Sequence, residues 1–430
     1  MASKKNNKRM QSLGRLSFYL EPLEQRVMLS TTQLTPAQIR HAYGFDQTYF
    51  TVNGKTVADN GAGETIAIVD AYGDPTIAAD LKSFDATYGL ANPNFKTVQM
   101  GGSVSTNASW SLETSLDVEW AHAVAPGANI VLVEAKSASM TDLMAAVNYA
   151  KNLSGVVSVS MSWGASEFTS ETSLDSSFSK AGVTFVASSG DNGSGTNYPA
   201  ASKNVLSVGG TTLSVDNAGN YQGETAWSGS GGGYSAIEGN NVPDVSYDAD
   251  PSTGYMVYDT TKYENYSGWW VVGGTSAGSP QWAGLIADAD QGRALRGEAA
   301  LSSAQTISDL FSLPSSDFHD ITSGSNGGYS AGTGYDLVTG LGTPIVQNIV
   351  DGLVGGNVTT NASGTPVSGV VSTTSTTTTT TKTATAKKAA AKATKATKAV
   401  EAHTQYVAVA ATGGVSHVGL SYFDRQVNWS

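Results

Sequence analysis

The sequence predicts an α/β fold, a doubly wound parallel sheet with helices on both faces. Three observations predict it. Short β-branched runs recur at 65–69, 129–133, 156–161, 183–187 and 205–208, as in buried parallel strands. Stretches with helical spacing lie between them, at 76–88, 111–124, 141–151 and 173–181. The strand-then-helix repeat suits the crossover connections of a parallel sheet. In such a sheet the chemistry is expected outside the carboxyl edge of the strands.

The chain has 430 residues, enough for one large domain or two small ones. It contains no cysteine, which excludes disulfides, zinc–cysteine sites and thiol chemistry. Its formal net charge is −12, unevenly spread. Residues 33–355 carry 11 Lys and Arg against 32 Asp and Glu, a net of −21. So acidic a domain is not a nucleic-acid binder. Its self-repulsion falls as carboxylates protonate, so mildly acid conditions suit it. No apolar run reaches the length of a membrane span.

Taken in order, residues 1–32 read as a basic leader or sorting segment. Leu20, Leu23 and Leu29 are interrupted by Glu21, Pro22, Glu24 and Arg26, which breaks the apolar core of an ordinary signal peptide. The stretch resembles the LEPLE-x-R-x-x-LS pattern near the N-terminus of many exported bacterial surface proteins, which implies an extracellular or cell-surface protein. Residues 33–355 hold the α/β domain. At 356–403 the composition collapses to Thr, Lys and Ala, a disordered linker or tail unable to bury a core. Residues 404–430 turn apolar again but are too few to fold alone. The basic tail is a candidate for attachment to anionic cell-surface polymers, and the protein is expected to be a monomer.

The string Gly273-Gly274-Thr275-Ser276-Ala277-Gly278-Ser279-Pro280 opens a helix expected over 277–292. Pro280 is tolerated in a first turn. A hydroxyl at a helix N-terminus meets the positive end of the dipole, a suitable place for a nucleophile whose reaction creates an oxyanion. Such a serine needs a base. The histidines are His41, His122, His319, His403 and His417, and none lies in a Gly-rich histidine motif. The helix at 111–124 instead carries Glu113 and Asp117 at i, i+4, on one face. Close carboxylates titrate as a pair, and one holds its proton longer. Such a pair can serve as a base under acid conditions, where histidine is protonated. His122 lies about 180° round the helix from Glu113, and Glu119, about 120° away, is expected at the surface. Asp191 lies in Ser188-Ser189-Gly190-Asp191-Asn192-Gly193, just past the strand at 183–187. Asp70 ends the first strand and is expected to be structural.

Together, Glu113-x-x-x-Asp117, the Asp191 string, Gly274-Thr275-Ser276-Ala277-x-x-Pro280, Asp320-Ile321 and Gly332-x-Gly334-x-Asp336 resemble the sedolisin family of serine-carboxyl peptidases, whose fold is subtilisin-like. The likeness runs from about Leu34 to Pro344. It implies Ser276 as nucleophile, Glu113 as general base, Asp117 as the acid orienting Glu113, and Asp191 as oxyanion-hole donor. It implies acid-active endopeptidase function on protein or peptide substrates. It also implies a Ca²⁺ site with carboxylates from Asp320 and Asp336 and carbonyls from Ile321, Gly332 and Gly334, hard oxygen ligands that suit the ion. Most members carry a long N-terminal prodomain, and this chain is expected to lack it. Two other readings stay open: a histidine-dependent subtilisin relative using His122, and a non-catalytic, calcium-stiffened surface module.

Overall fold

The computed structural model describes residues 33–356 and the two-residue strand Thr359–Thr360. The leader read at 1–32 and nearly all of the segments read at 356–403 and 404–430 lie outside the described residues. Helix α1 (Pro36–Tyr43) opens with a capping box between Thr35 and Gln38. Arg40 on α1 reaches the carbonyls of Ala123 and Val124 (2.8 and 3.0 Å), which end a second helix in the core. A small hairpin, β1 (Tyr49–Val52) and β2 (Lys55–Ala58), leads into the main sheet.

The main sheet contains β3 (Thr65–Ala71), β4 (Phe95–Gln99), β5 (Asn129–Ala135), β6 (Val156–Met161), β8 (Thr184–Ser188), β10 (Leu206–Val215), β11 (Tyr221–Ala226) and β14 (Val245–Asp248). The two-residue strands β7 (Ala165–Ser166) and β9 (Asn197–Tyr198) pair with each other, as do β12 (Gly233–Ser235) and β13 (Asn240–Val242). The order is β11-β10-β8-β6-β3-β5-β4, with β14 also pairing β10. Every pair is parallel except β10 with β11.

All seven residues of β3 are buried. Ile66 and Ile68 point into one apolar cluster and Ala67 and Val69 into the other, as the two-residue period of a strand requires. The first cluster is closed by α2 (Ile77–Tyr88), α3 (Ala108–Val124), α5 (Gly278–Leu295), α6 (Ser303–Leu310) and α7 (Val346–Val354). The second is closed by α4 (Met140–Ala150) and a 3₁₀ helix, Glu171–Phe178. The sheet is doubly wound, with helices on both faces. Where α3 and α5 cross, a Cβ on Gly284 would stand 2.6 Å from Val124 Cγ2, so the crossing needs glycine.

Several elements differ from expectation, and β4, β11 and β14 are not among the expected strands. The helix expected at 173–181 is the 3₁₀ helix, in a stretch rich in Ser and Thr; Ser173 Oγ bonds back to Ser170 O at 2.7 Å. The strand expected at 205–208 runs to Val215, because β11 pairs its far half. A hairpin of β15 (Tyr255–Tyr263) and β16 (Tyr266–Val272) lies over α2 and α3. Glu264 and Asn265 turn it, both at positive φ, the two-residue reversal that suits strand twist. This hairpin overturns the surface expectation for Glu119. That side chain is fully buried and accepts the Tyr258 N–H at 3.0 Å.

Candidate active site

Ser276 sits in a 3₁₀ turn, Thr275–Ala277, that runs into α5. Gly274, before the turn, has φ 132°, a conformation reserved for glycine. A Cβ there would also stand 2.7 Å from Asp191 Oδ2. The turn packs between α3, β8 and β14. Ser276 is buried, and its Oγ has no hydrogen-bond partner among the described residues.

Helix α3 starts at an Asn107 cap and is buried almost throughout, which places Glu113 and Asp117 inside the protein. Asp117 reaches the nucleophile's main chain through Ser162, which follows β6. Ser162 Oγ lies 2.9 Å from Asp117 Oδ1 and 3.1 Å from Ser276 O. Burial first, then the charges of Asp70 and Glu113, hold the Asp117 proton well above the usual carboxylate range; the Ser162 bond opposes this. Asp70, next to last in β3, is raised to about 7, chiefly by burial.

Asp191 follows β8, beyond the carboxyl edge of the sheet. Its Oδ1 accepts both the Thr275 N–H and the Thr275 hydroxyl at 2.8 Å. The Gly190 N–H in turn donates to Thr275 Oγ1 at 3.1 Å. Burial pushes the Asp191 carboxyl up to about 6, against the pull of these two donors. Its Oδ2 is buried with no partner among the described residues. A proton on Oδ2 makes this atom a hydrogen-bond donor next to the nucleophile turn.

The histidines stand elsewhere. His122, on α3, is fully buried on a different side: its Nε2 lies 2.9 Å from Ala91 O and 3.2 Å from Asp85 Oδ1. His41 bonds Asp46 and Asn220. His319 stacks on Tyr221 with centroids 3.7 Å apart. His403 and His417 lie outside the described residues. The arrangement gives no support to a histidine base.

Sequence reasoning missed Ser162 and Thr275 as site residues. Thr275 was legible as the neighbour of Ser276. Ser162 was not, because its position depends on how β6 and α3 meet.

The five candidate calcium ligands share one loop region. The Gly334 N–H donates to both Asp320 oxygens at 3.1 Å, and the Gly332 N–H to Asp336 Oδ2 at 2.9 Å. Asp336 Oδ1 also accepts from the Val338 and Thr339 N–H groups at 2.8 Å. Ile321 is buried beside this loop. Among the described residues no group of three or more Asp, Glu, His or Cys is placed to hold a metal. The ligand set implied by the resemblance, Asp320 and Asp336 with the carbonyls of Ile321, Gly332 and Gly334, is all oxygen, the chemistry of a hard cation.

Among the described residues no helix is long and apolar enough to cross a membrane. The subtilase family (peptidase S8) profile matches residues 98–310. Sedolisin from Pseudomonas sp. (strain 101) is 31% identical over 360 residues, covering 70% of this chain and 60% of that protein. Kumamolisin from Bacillus sp. (strain MN-32) is 31% identical over 384 residues, covering 75% and 64%. The chain thus spans under two thirds of the length of these relatives. Among solved structures, Pseudomonas sedolisin, a serine-carboxyl proteinase complexed with two molecules of pseudo-iodotyrostatin, superposes with a TM-score of 0.65 at 29% identity, covering 76% of this chain and 100% of that one. On the sheet order, the nucleophile turn and these likenesses, the chain belongs to the sedolisin family and has its subtilisin-like fold.

Proposed function

We propose that this chain is an acid-active serine-carboxyl endopeptidase that cleaves peptide bonds through an acyl-enzyme on Ser276. One observation carries the reading: Ser162 links Asp117 to the main chain of Ser276, while His122 on the same helix is bound elsewhere. Glu113 takes the hydroxyl proton as Ser276 Oγ attacks the scissile carbonyl carbon. Asp117, kept protonated by burial and its acidic neighbours, holds Glu113 in orientation. The oxyanion of the tetrahedral intermediate receives a hydrogen bond from protonated Asp191 Oδ2. Collapse breaks the C–N bond, and the leaving amine takes the proton from Glu113. Water then attacks the ester, giving its proton to Glu113, and the acid product leaves as Ser276 regains a proton. Main chain at 162–164, just past the paired end of β6, is the stretch left for an extended substrate to pair with.

The same reading assigns Ca²⁺ to Asp320 and Asp336, with the carbonyls of Ile321, Gly332 and Gly334. The ion would supply positive charge that pins this loop between the two carboxylates. It further makes the protein an exported monomer, extracellular or cell-surface, acting on protein or peptide substrates.

The test is peptide hydrolysis by the full chain from acid to mildly alkaline pH, with Ser276→Ala and Glu113→Gln alongside. Wild type should peak on the acid side. Both variants should fall to background while keeping native circular dichroism. Activity that survives Glu113→Gln but is lost in His122→Gln would overturn the assignment in favour of a histidine base.

A further inference from the structure

We propose that the carboxyls of Asp74, Glu119 and Asp259 form a pH latch, holding the β15–β16 hairpin on α2 and α3 in acid and releasing it towards neutral pH. The hairpin matters because its second strand runs directly into Gly273, Gly274 and the Ser276 turn. Loosening it frees the N-terminal side of the nucleophile.

The attachment has two halves. One is aromatic: Trp269 packs on Phe84 and Tyr88 of α2, with centroids 6.2 and 5.6 Å away. The other is made of carboxyls that accept hydrogen bonds from β15, three of them from outside the hairpin and Asp259 from within it. Glu119 accepts the Tyr258 N–H at 3.0 Å. Asp80 accepts the Thr260 N–H at 2.9 Å and the Thr260 hydroxyl at 2.8 Å. Asp259 caps the Thr261 N–H at 2.7 Å. Asp74, in the loop after β3, accepts from Thr76 N and Oγ1 at 2.9 Å and from Thr261 Oγ1 at 3.3 Å.

Three carboxyl oxygens are left over. Asp74 Oδ2, Glu119 Oε1 and Asp259 Oδ2 are buried without a hydrogen-bond partner among the described residues. Asp259 and Glu119 are 0% exposed and Asp74 4%. A charged oxygen in that position is costly, so the packed state favours the neutral acid. The titratable groups facing this set are Asp80, Asp85 and Tyr88 from α2, Glu119 and His122 from α3, Glu134 from β5, Asp74 and Asp259. Of these only His122 is basic, and it faces Asp85. Glu134 adds another carboxylate, accepting the Asp74 N–H at 2.7 Å.

The electrostatics agree. Burial raises Asp259 to about 8, with Asp74 and Asp80 adding repulsion. Burial also raises Asp74, and raises Glu119 well above the usual range. A carboxyl raised in the folded state is protonated there while its unfolded counterpart has ionised. Attachment is therefore strongest in acid. For Asp259 it weakens from the ordinary carboxylate range near ~4 up to about 8.

The test is amide hydrogen exchange of the segment 255–272 in the full chain carrying Ser276→Ala, followed from acid to mildly alkaline pH and corrected for intrinsic exchange. That background removes self-cleavage and makes the result independent of the catalytic reading. Protection should drop at least tenfold towards neutral pH. Asp74→Asn with Asp259→Asn should move the midpoint at least one pH unit to the alkaline side. Protection that is unchanged across the range, or lost at the same pH in the double variant, would overturn the latch. Should that double variant fail to fold, Asp259→Asn alone must still shift the midpoint alkaline, and an unmoved midpoint there refutes the proposal equally.

Discussion

The proposed role of Asp191 sets a pH limit that one substitution should remove. Burial raises this carboxyl to about 6. On that value the donor form falls from about nine-tenths at pH 5 to about one-tenth at pH 7. If Oδ2 must donate to the oxyanion, rate falls with it, about tenfold over that interval. Asp191→Asn keeps an acceptor where Oδ1 receives the Thr275 N–H and hydroxyl. Those two donors orient the amide, so its NH₂ takes the place of Oδ2. The variant then donates at every pH. The expected outcome is a ratio of variant to wild-type kcat/KM that rises about tenfold from pH 5 to pH 7. Asp191→Ala has no donor and should lose roughly 10²–10³ in rate at all pH values. The assay is initial-rate peptide hydrolysis taken immediately after dilution into each buffer, before any slow loss of structure. A flat ratio for Asp191→Asn would refute the reasoning and move the alkaline limb to the Glu113–Asp117 pair.

Two further outcomes follow from the geometry. Gly274→Ala puts a Cβ 2.7 Å from Asp191 Oδ2 at φ 132°; it should cost roughly 1–3 kcal/mol of stability by thermal melting and lower kcat/KM at least tenfold. Calcium chelation should lower Tm if the Asp320/Asp336 loop holds the ion, since a hundredfold excess of free ion over Kd stabilises by about 2.7 kcal/mol; an unchanged Tm with no metal co-purifying would discard the site.

Five of the eight main-sheet strands, β3, β5, β6, β8 and the first half of β10, were legible from local pattern, because short β-branched runs have few destinations other than buried strands, whereas β4, β11 and β14 carry no such run. The sequence by itself also marked Glu113, Asp117, Asp191 and Ser276 as candidates, since each lies in a short string whose residue types are tied to one local geometry: a helix face, a strand end, a Gly-Gly turn. The face of His122 could be read too, from helical spacing alone. What it could not determine were features made by non-local contact. Ser162 joins Asp117 to Ser276 only because β6 ends between α3 and the turn. Glu119 reads as a surface charge until a hairpin distant in sequence buries it. That hairpin has no clean alternation, being half buried and bent by a register shift between Asp259 and Tyr263. Burial is a property of the assembled layers, and it is burial that raises Asp117, Asp191 and Asp259 far from their solution values. Local pattern settled which residues face inward along an element; only tertiary packing decided which of them meet, and with what charge.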